Sequence, residues 1–167
     1  MTDEEFVHDI YDSSYRRLVG QVFALCGDLA TAEDTVQEAF VRAIDHARTF
    51  RRVDNPEAWL RRVAINIQRN RWRRMKRYAL IQHRLVDLVE EASGPDLSAD
   101  HLALQSALAT LPESQRTVIV LHHLADLPVN EIATSLGVPA GTAKARLARG
   151  RAALAERLMD VDEEHHV

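Results

Sequence analysis

The chain has 167 residues, 46% of them hydrophobic and 28% charged, with 6 Gly, 5 Pro and a single Cys, the mixture of a folded globular protein of one or two domains. No apolar run approaches the ~20 residues that span a bilayer. The acidic start Met1-Thr2-Asp3-Glu4-Glu5 is no signal peptide, and a lone Cys26 makes neither an internal disulfide nor a zinc site of the usual kind. Scarce aromatics and plentiful Ala, Leu, Arg and Glu point to helices, so a cytosolic, all-α chain without metal or cofactor is expected.

The first helical pattern covers residues 4–26, with Phe6, Ile10, Tyr11, Ser14, Leu18, Val22 and Leu25 on one stripe. Gly27-Asp28 breaks it. Thr31 reads as the N-cap of a second helix with an acid three residues on. That helix places Val36, Ala39, Phe40, Ala43, Ile44 and Ala47 on one face, and Asp34, Gln37, Glu38, Val41 and Asp45 on the other. Residues 49–56 read as a loop closed by Asp54-Asn55-Pro56. A third long helix runs over 57–78, and residues 80–88 extend it. Residues 90–99, with Ser93-Gly94-Pro95-Asp96, are the best linker. Four more helices follow, at 99–110, 112–124, 129–136 and from 140 to about 159, interrupted by Asp126-Leu127-Pro128 and Gly137-Val138-Pro139. His165-His166 reads as a polar tail.

Charge is segregated along this chain. The formal net charge is -4, but residues 1–41 carry -7, residues 42–77 carry +9, residues 78–115 carry -5, residues 116–157 carry +3 and residues 158–167 carry -4. Two basic blocks separated by an acidic spacer set two local fields, which suits two separate contacts with a polyanion.

On the third helix, Leu60, Val63, Ala64 and Ile67 face the core by periodicity. Arg62, Ile65, Arg69, Trp72, Arg73 and Lys76 fall opposite, with Arg61 at the edge and Asn66 and Asn70 on the flank. Arginines give charge-assisted contacts to phosphate oxygens, and the asparagines suit base edges. Trp72 is either a stacking plane for an unpaired base or a core residue folded back on the next segment. In residues 129–147, Ile132, Ala133 and Leu136 pack a first helix and Gly137 supplies a left-handed end. Ala143 and Leu147 pack a second helix, leaving Thr142, Lys144, Ala145, Arg146 and Arg149 outward. That is helix-turn-helix spacing, with a small-residue start, Ala140-Gly141-Thr142, that admits a phosphate backbone. No Gly-rich phosphate loop, His-Glu-x-x-His or nucleophile elbow occurs; the chain is not expected to be an enzyme.

Ala32-Glu33-Asp34-Thr35-Val36-Gln37-Glu38-Ala39-Phe40-Val41-Arg42-Ala43-Ile44 resembles the polymerase-binding helix of bacterial sigma factors of the extracytoplasmic function (ECF) group. Asn55-Pro56-Glu57-Ala58-Trp59-Leu60 with Ala64-Ile65-Asn66 resembles their next helix. Leu111-Pro112-Glu113-Ser114-Gln115-Arg116, Glu131-Ile132-Ala133 with Leu136-Gly137-Val138, and residues 141–151 resemble their C-terminal helix-turn-helix domain. The resemblance implies a region 2-like domain at 1–88, a linker at 89–100, a region 4-like domain at 101–160 and an acidic, His-containing tail at 161–167. It implies that Asp34, Gln37, Glu38, Phe40 and Arg42 dock on the largest polymerase subunit. Arg51, Arg52, Asn55, Trp59, Arg61, Arg62, Asn66, Arg69, Trp72 and Arg73 would serve the opened -10 element, and Thr142, Lys144, Ala145, Arg146 and Arg149 the -35 duplex. Core RNA polymerase, including its second-largest subunit, promoter DNA and an anti-sigma factor are the implied partners. Asn70, Ala143, Ala145 and Pro128 depart from the usual family residues, so promoter preference does not transfer from relatives. Two other readings remain: a sigma-like decoy that only sequesters an anti-sigma protein, and a stand-alone helix-turn-helix regulator.

Overall fold

Thr2 opens helix α1 (Asp3–Cys26): its hydroxyl accepts the Glu5 N–H while Glu5 Oε2 accepts the Thr2 N–H at 2.7 Å, a complete capping box. These residues belong to a computed structural model that describes residues 1–81 and 98–165. Gly27 ends α1 at φ 74°, a left-handed position that suits glycine, and returns its N–H to Phe23 O at 2.8 Å. Helix α2 (Leu29–Asp45) starts earlier than expected. Its N-cap is Asp28, not Thr31: Asp28 Oδ2 accepts both the Thr31 N–H at 2.9 Å and the Thr31 hydroxyl at 2.6 Å. Those bonds favour the carboxylate and hold the Asp28 pKa below the usual value.

The loop expected at 49–56 is shortened by a single helical turn, α3 (Ala47–Phe50). Asn55 then caps helix α4 (Pro56–Ile81), its Oδ1 accepting the Ala58 N–H at 3.0 Å, with Pro56 in the first turn where its missing N–H costs nothing. Helices α1, α2 and α4 close one core around Leu18, Val22, Val36, Ala39, Phe40, Leu60, Ala64 and Ile67, capped at one end by Phe50. Burial of Ile65 departs from the expected stripe, because α4 is flanked by both α1 and α2 and loses more of its circumference than one neighbour would cover. Ile44 departs the other way: it lies at the margin of the α2 core face and is 59% exposed.

Contacts divide the chain into two compact units, Met1–Glu90 and Glu91–Val167. Most of the expected linker, and the extension of the third helix beyond Ile81, lie outside the described residues. The second unit holds α5 (Ala99–Ala109), α6 (Glu113–His123), α7 (Val129–Leu136) and α8 (Ala140–His165). Ser98 accepts the His101 N–H to start α5. A buried arginine finishes it: Arg116 Nη2 donates to Leu111 O at 2.9 Å and Ala109 O at 3.2 Å. Helix α6 is buried from Arg116 through Leu121, which makes it the centre of this unit. Gly150 on α8 lies against it; a Cβ there would stand 2.9 Å from Ile119 Cγ1. Helix α8 runs about two turns further than its periodicity suggests and takes in residues 161–165 of the expected tail.

Candidate protein- and nucleic-acid-binding surfaces

Because α2 buries Ala32, Thr35, Val36, Ala39, Phe40 and Ala43, its opposite face is turned to solvent. Asp34, Gln37 and Arg42 are exposed and Glu38 is half-buried. The same face carries Val41 and Ile44, 54% and 59% exposed, so the stripe turns from acidic and amide groups to apolar ones along the helix. Beside it runs a groove of about 580 Å³ lined by Val7, His8 and Tyr11 of α1 with Gln37, Val41 and Ile44 of α2. Phe40 was expected on the docking surface and is instead 4% exposed, stacked edge-on to Tyr11 at 5.0 Å; it forms the groove floor. Ile44 was not expected in this surface, because a helical wheel cannot tell the edge of a core face from its centre.

The second surface is built on α3, the turn after it and α4. Phe50 is fully buried between Phe6, at 5.8 Å between ring centroids, and Trp59, at 5.0 Å. It therefore fixes the turn that presents Arg51 and Arg52, both exposed. Trp59 is half-buried and packs on Phe50 as part of the core's shell. Asn55 spends its side-chain carbonyl on the α4 cap. Arg51 Nη1 pairs with Asp3 Oδ1 at 3.0 Å, an exposed pair that a stronger anion would displace.

Along α4, Arg62, Asn66 and Arg73 are exposed, and Arg69 and Trp72 are half-buried. Lys76 Nζ sits 5.5 Å from the centre of the Trp72 ring. Arg61 departs from expectation. Only 12% of its side chain is exposed; Nε donates to Gln21 Oε1 at 3.0 Å and Nη2 to Glu57 Oε1 at 3.3 Å. Arg17 grips the same carboxylate through Nη2 at 2.7 Å and Nε at 3.3 Å. Arg61 thus clamps α4 to α1. Its wheel position sits at a boundary, and only the partner 40 residues away decides which way it turns.

In the second unit, α7 is followed by a three-residue turn in which Gly137 takes φ 66°. Ile132 and Ala133 of α7 and Ala143 and Leu147 of α8 are all buried, as the spacing predicted. Thr142, Lys144, Ala145, Arg146 and Arg149 follow on the first turns of α8; Lys144 and Arg149 are exposed and the other three half-buried. Near the end of α6, Arg151 Nε donates to His123 Nε2 at 3.3 Å. Burial first, then the charge of Arg151, lowers the His123 pKa. His122 is held by Leu127 O at 2.9 Å, a structural role. No group of His, Cys, Asp and Glu suited to a metal occurs among the described residues, and none of their helices is long and apolar enough to cross a membrane.

Two family profiles match the chain: Sigma-70 region 2 over residues 10–78 and Sigma-70, region 4 over residues 101–154. The chain is 30% identical to the ECF RNA polymerase sigma factor SigW of Bacillus subtilis, covering 95% of this chain and 92% of that protein. It is 33% identical to the RNA polymerase sigma-E factor of Streptomyces coelicolor, over 95% and 87% of the two chains. Among solved structures it is similar to the sigma factor RpoE of Bartonella quintana, solved in complex with the anti-sigma factor NepR, with TM-score 0.79, 25% identity and coverage of 95% and 99%.

Proposed function

This chain belongs to the ECF group of RNA polymerase sigma factors, and from that premise we propose how its two units direct promoter-specific initiation. The observation that carries the reading is that the first unit exposes two different surfaces. Asp34, Gln37, Val41 and Ile44 form one on α2, and Arg62, Asn66 and Arg73 another on α4. The α2 stripe docks on the polymerase. Its acidic end sets orientation and on-rate, and its apolar end supplies the buried area. The α4 surface with Arg51 and Arg52 holds the opened -10 strand, where capture of an unstacked base offsets the few kcal/mol spent opening it. The second unit enters the -35 major groove with the start of α8, led by Lys144 and Arg149. No step is enzymatic; the work is binding, done in the cytoplasm where the polymerase is.

An anti-sigma protein controls the chain by covering these surfaces; the Bartonella relative was solved in complex with one. A decoy that only binds such a protein needs the α2 face but has no use for the exposed Arg62, Arg73, Lys144 and Arg149. A stand-alone regulator would leave the first unit idle. Transcription in vitro from genomic fragments, with core polymerase and mapping of RNA 5′ ends, tests the reading. Protein-dependent starts sharing paired upstream elements are expected; no protein-dependent initiation, with binding of an anti-sigma protein retained, would favour the decoy.

A further inference from the structure

Arg71 of the basic block reaches across from α4 to α2 and is half-buried there. Arg71 Nη1 donates to the Thr35 hydroxyl at 2.7 Å, and Nη2 reaches Glu38 Oε2 at 3.3 Å. Thr35 is fully buried and its hydroxyl donates to Thr31 O at 2.7 Å, leaving its lone pairs for Arg71. The guanidinium is therefore anchored on the core before it meets the carboxylate. The other carboxylate oxygen is taken by Arg42 Nη2 at 2.8 Å, from the same helix as Glu38. Glu38 is thus held between a cation that shares its helix and one fixed from α4.

We propose that Arg71 is a positioning residue for the polymerase-docking face: anchored on Thr35, it holds the Glu38 carboxylate in one orientation on the surface of α2. The proposal rests on the reading that this face docks on the polymerase. A free glutamate loses rotamer freedom when it is immobilised at an interface; one already held across two helices loses less. Two parallel donors are what the task needs. An arginine fork spans a hydroxyl and a carboxylate at once, and a lysine ammonium on a flexible stem does not hold both in fixed geometry.

The test is the affinity of the full-length chain for core RNA polymerase, measured for the parent, Glu38→Gln, Arg71→Ala, Arg71→Lys and the double variant Glu38→Gln/Arg71→Ala. Arg71→Ala is expected to weaken association about 3- to 10-fold, the cost of ordering one side chain. In the Glu38→Gln background the same change is expected to have no further effect, a coupling that a purely structural role would not produce. Arg71→Lys keeps the charge and the stem, and is expected to recover only part of the loss. It also serves if tryptophan fluorescence shows that Arg71→Ala unfolds the first unit early. Equal losses in both backgrounds, full recovery by lysine, or tighter binding by Arg71→Ala would each overturn the proposal while leaving the docking face intact. No loss for Glu38→Gln would remove the docking role of Glu38, and the proposal with it.

Discussion

Phe50 is where the first unit's core meets the turn proposed to contact DNA, and truncating it tests both. Its side chain is fully buried and meets Phe6 and Trp59 with interplanar angles of 60° and 58°. Phe50→Ala forfeits the ring's burial and leaves a cavity, about 3–5 kcal/mol. Phe50→Leu keeps most of the volume. It loses two aromatic edge contacts of about 0.5–1.5 kcal/mol each, so about 2 kcal/mol in all is expected. A unit of this size holds roughly 0.05–0.15 kcal/mol per residue; leucine leaves it folded at room temperature and alanine brings it close to unfolding. At about 4–8 °C per kcal/mol, Phe50→Leu should lower its Tm by roughly 8–16 °C. Trp59 and Trp72 are the chain's only tryptophans and both lie in the first unit, so intrinsic fluorescence reports its melting alone. Below that Tm, Phe50→Leu should also weaken binding of a single-stranded -10 oligonucleotide, because the turn carrying Arg51 and Arg52 loses its anchor. An unchanged fluorescence Tm would refute the packing argument. A lowered Tm with unchanged strand binding would detach the turn from the DNA.

The docking face yields the opposite pattern: Asp34→Lys with Ile44→Ala should abolish co-purification with core polymerase while the fluorescence Tm falls by no more than about 4–8 °C, since two exposed substitutions cost within about 0.5 kcal/mol each. Lys144→Ala and Arg149→Ala should each lower the salt slope of -35 duplex binding by about 1, read by titration over a range of salt concentrations. His123 has a lowered pKa, so its contribution to the second unit's stability is fully present above the imidazole's ordinary pKa and is lost as pH falls through the folded value. Far-UV circular dichroism should show the transition that fluorescence does not see shifting down between pH 7.5 and 5, and His123→Gln should flatten that shift. At Gly150 a side chain collides with Ile119, so Gly150→Val should destabilise the same transition by about 1–3 kcal/mol. Gly141→Ala, with nothing within 4 Å, should leave it unchanged or raise it.

Features decided within a few residues were readable in the sequence. Val129–Leu136, the left-handed Gly137 and the inward Ile132, Ala133, Ala143 and Leu147 are local matters of period and turn chemistry, and the structure has them where the spacing put them. Asn55 as a cap was missed, although Asn-Pro before a helical run is a capping signal, because the same residues also read as a turn. Periodicity put Phe40 and Ile44 on one apolar face, and only Phe40 is buried there, because a wheel gives an angle and not what lies across from it. Phe40 has Tyr11 opposite and is buried, while Ile44, one turn on, opens onto the groove.

The basic block shows most clearly why charge counted along a chain overstates the field it makes. Its net +9 over residues 42–77 suggests a uniformly cationic surface. In the fold Arg61 is turned onto Gln21 and Glu57, Arg71 onto Thr35 and Glu38, Arg42 onto Glu38 and Arg51 onto Asp3. Three of those contacts tie the block to acids or amides of the preceding acidic segment, 33 to 48 residues away. The -7 of residues 1–41 is therefore partly spent on assembling the first unit. For the proposed contact with a DNA strand a narrower set remains, led by Arg52, Arg62 and Arg73, with Arg51 once its exposed pair with Asp3 is displaced. A narrower set loses fewer counterions on binding and so depends less steeply on salt than twelve cations would. The side chains that hold the unit together and those proposed to grip the strand are the same residue type, several of them on α4, and only their long-range partners tell them apart.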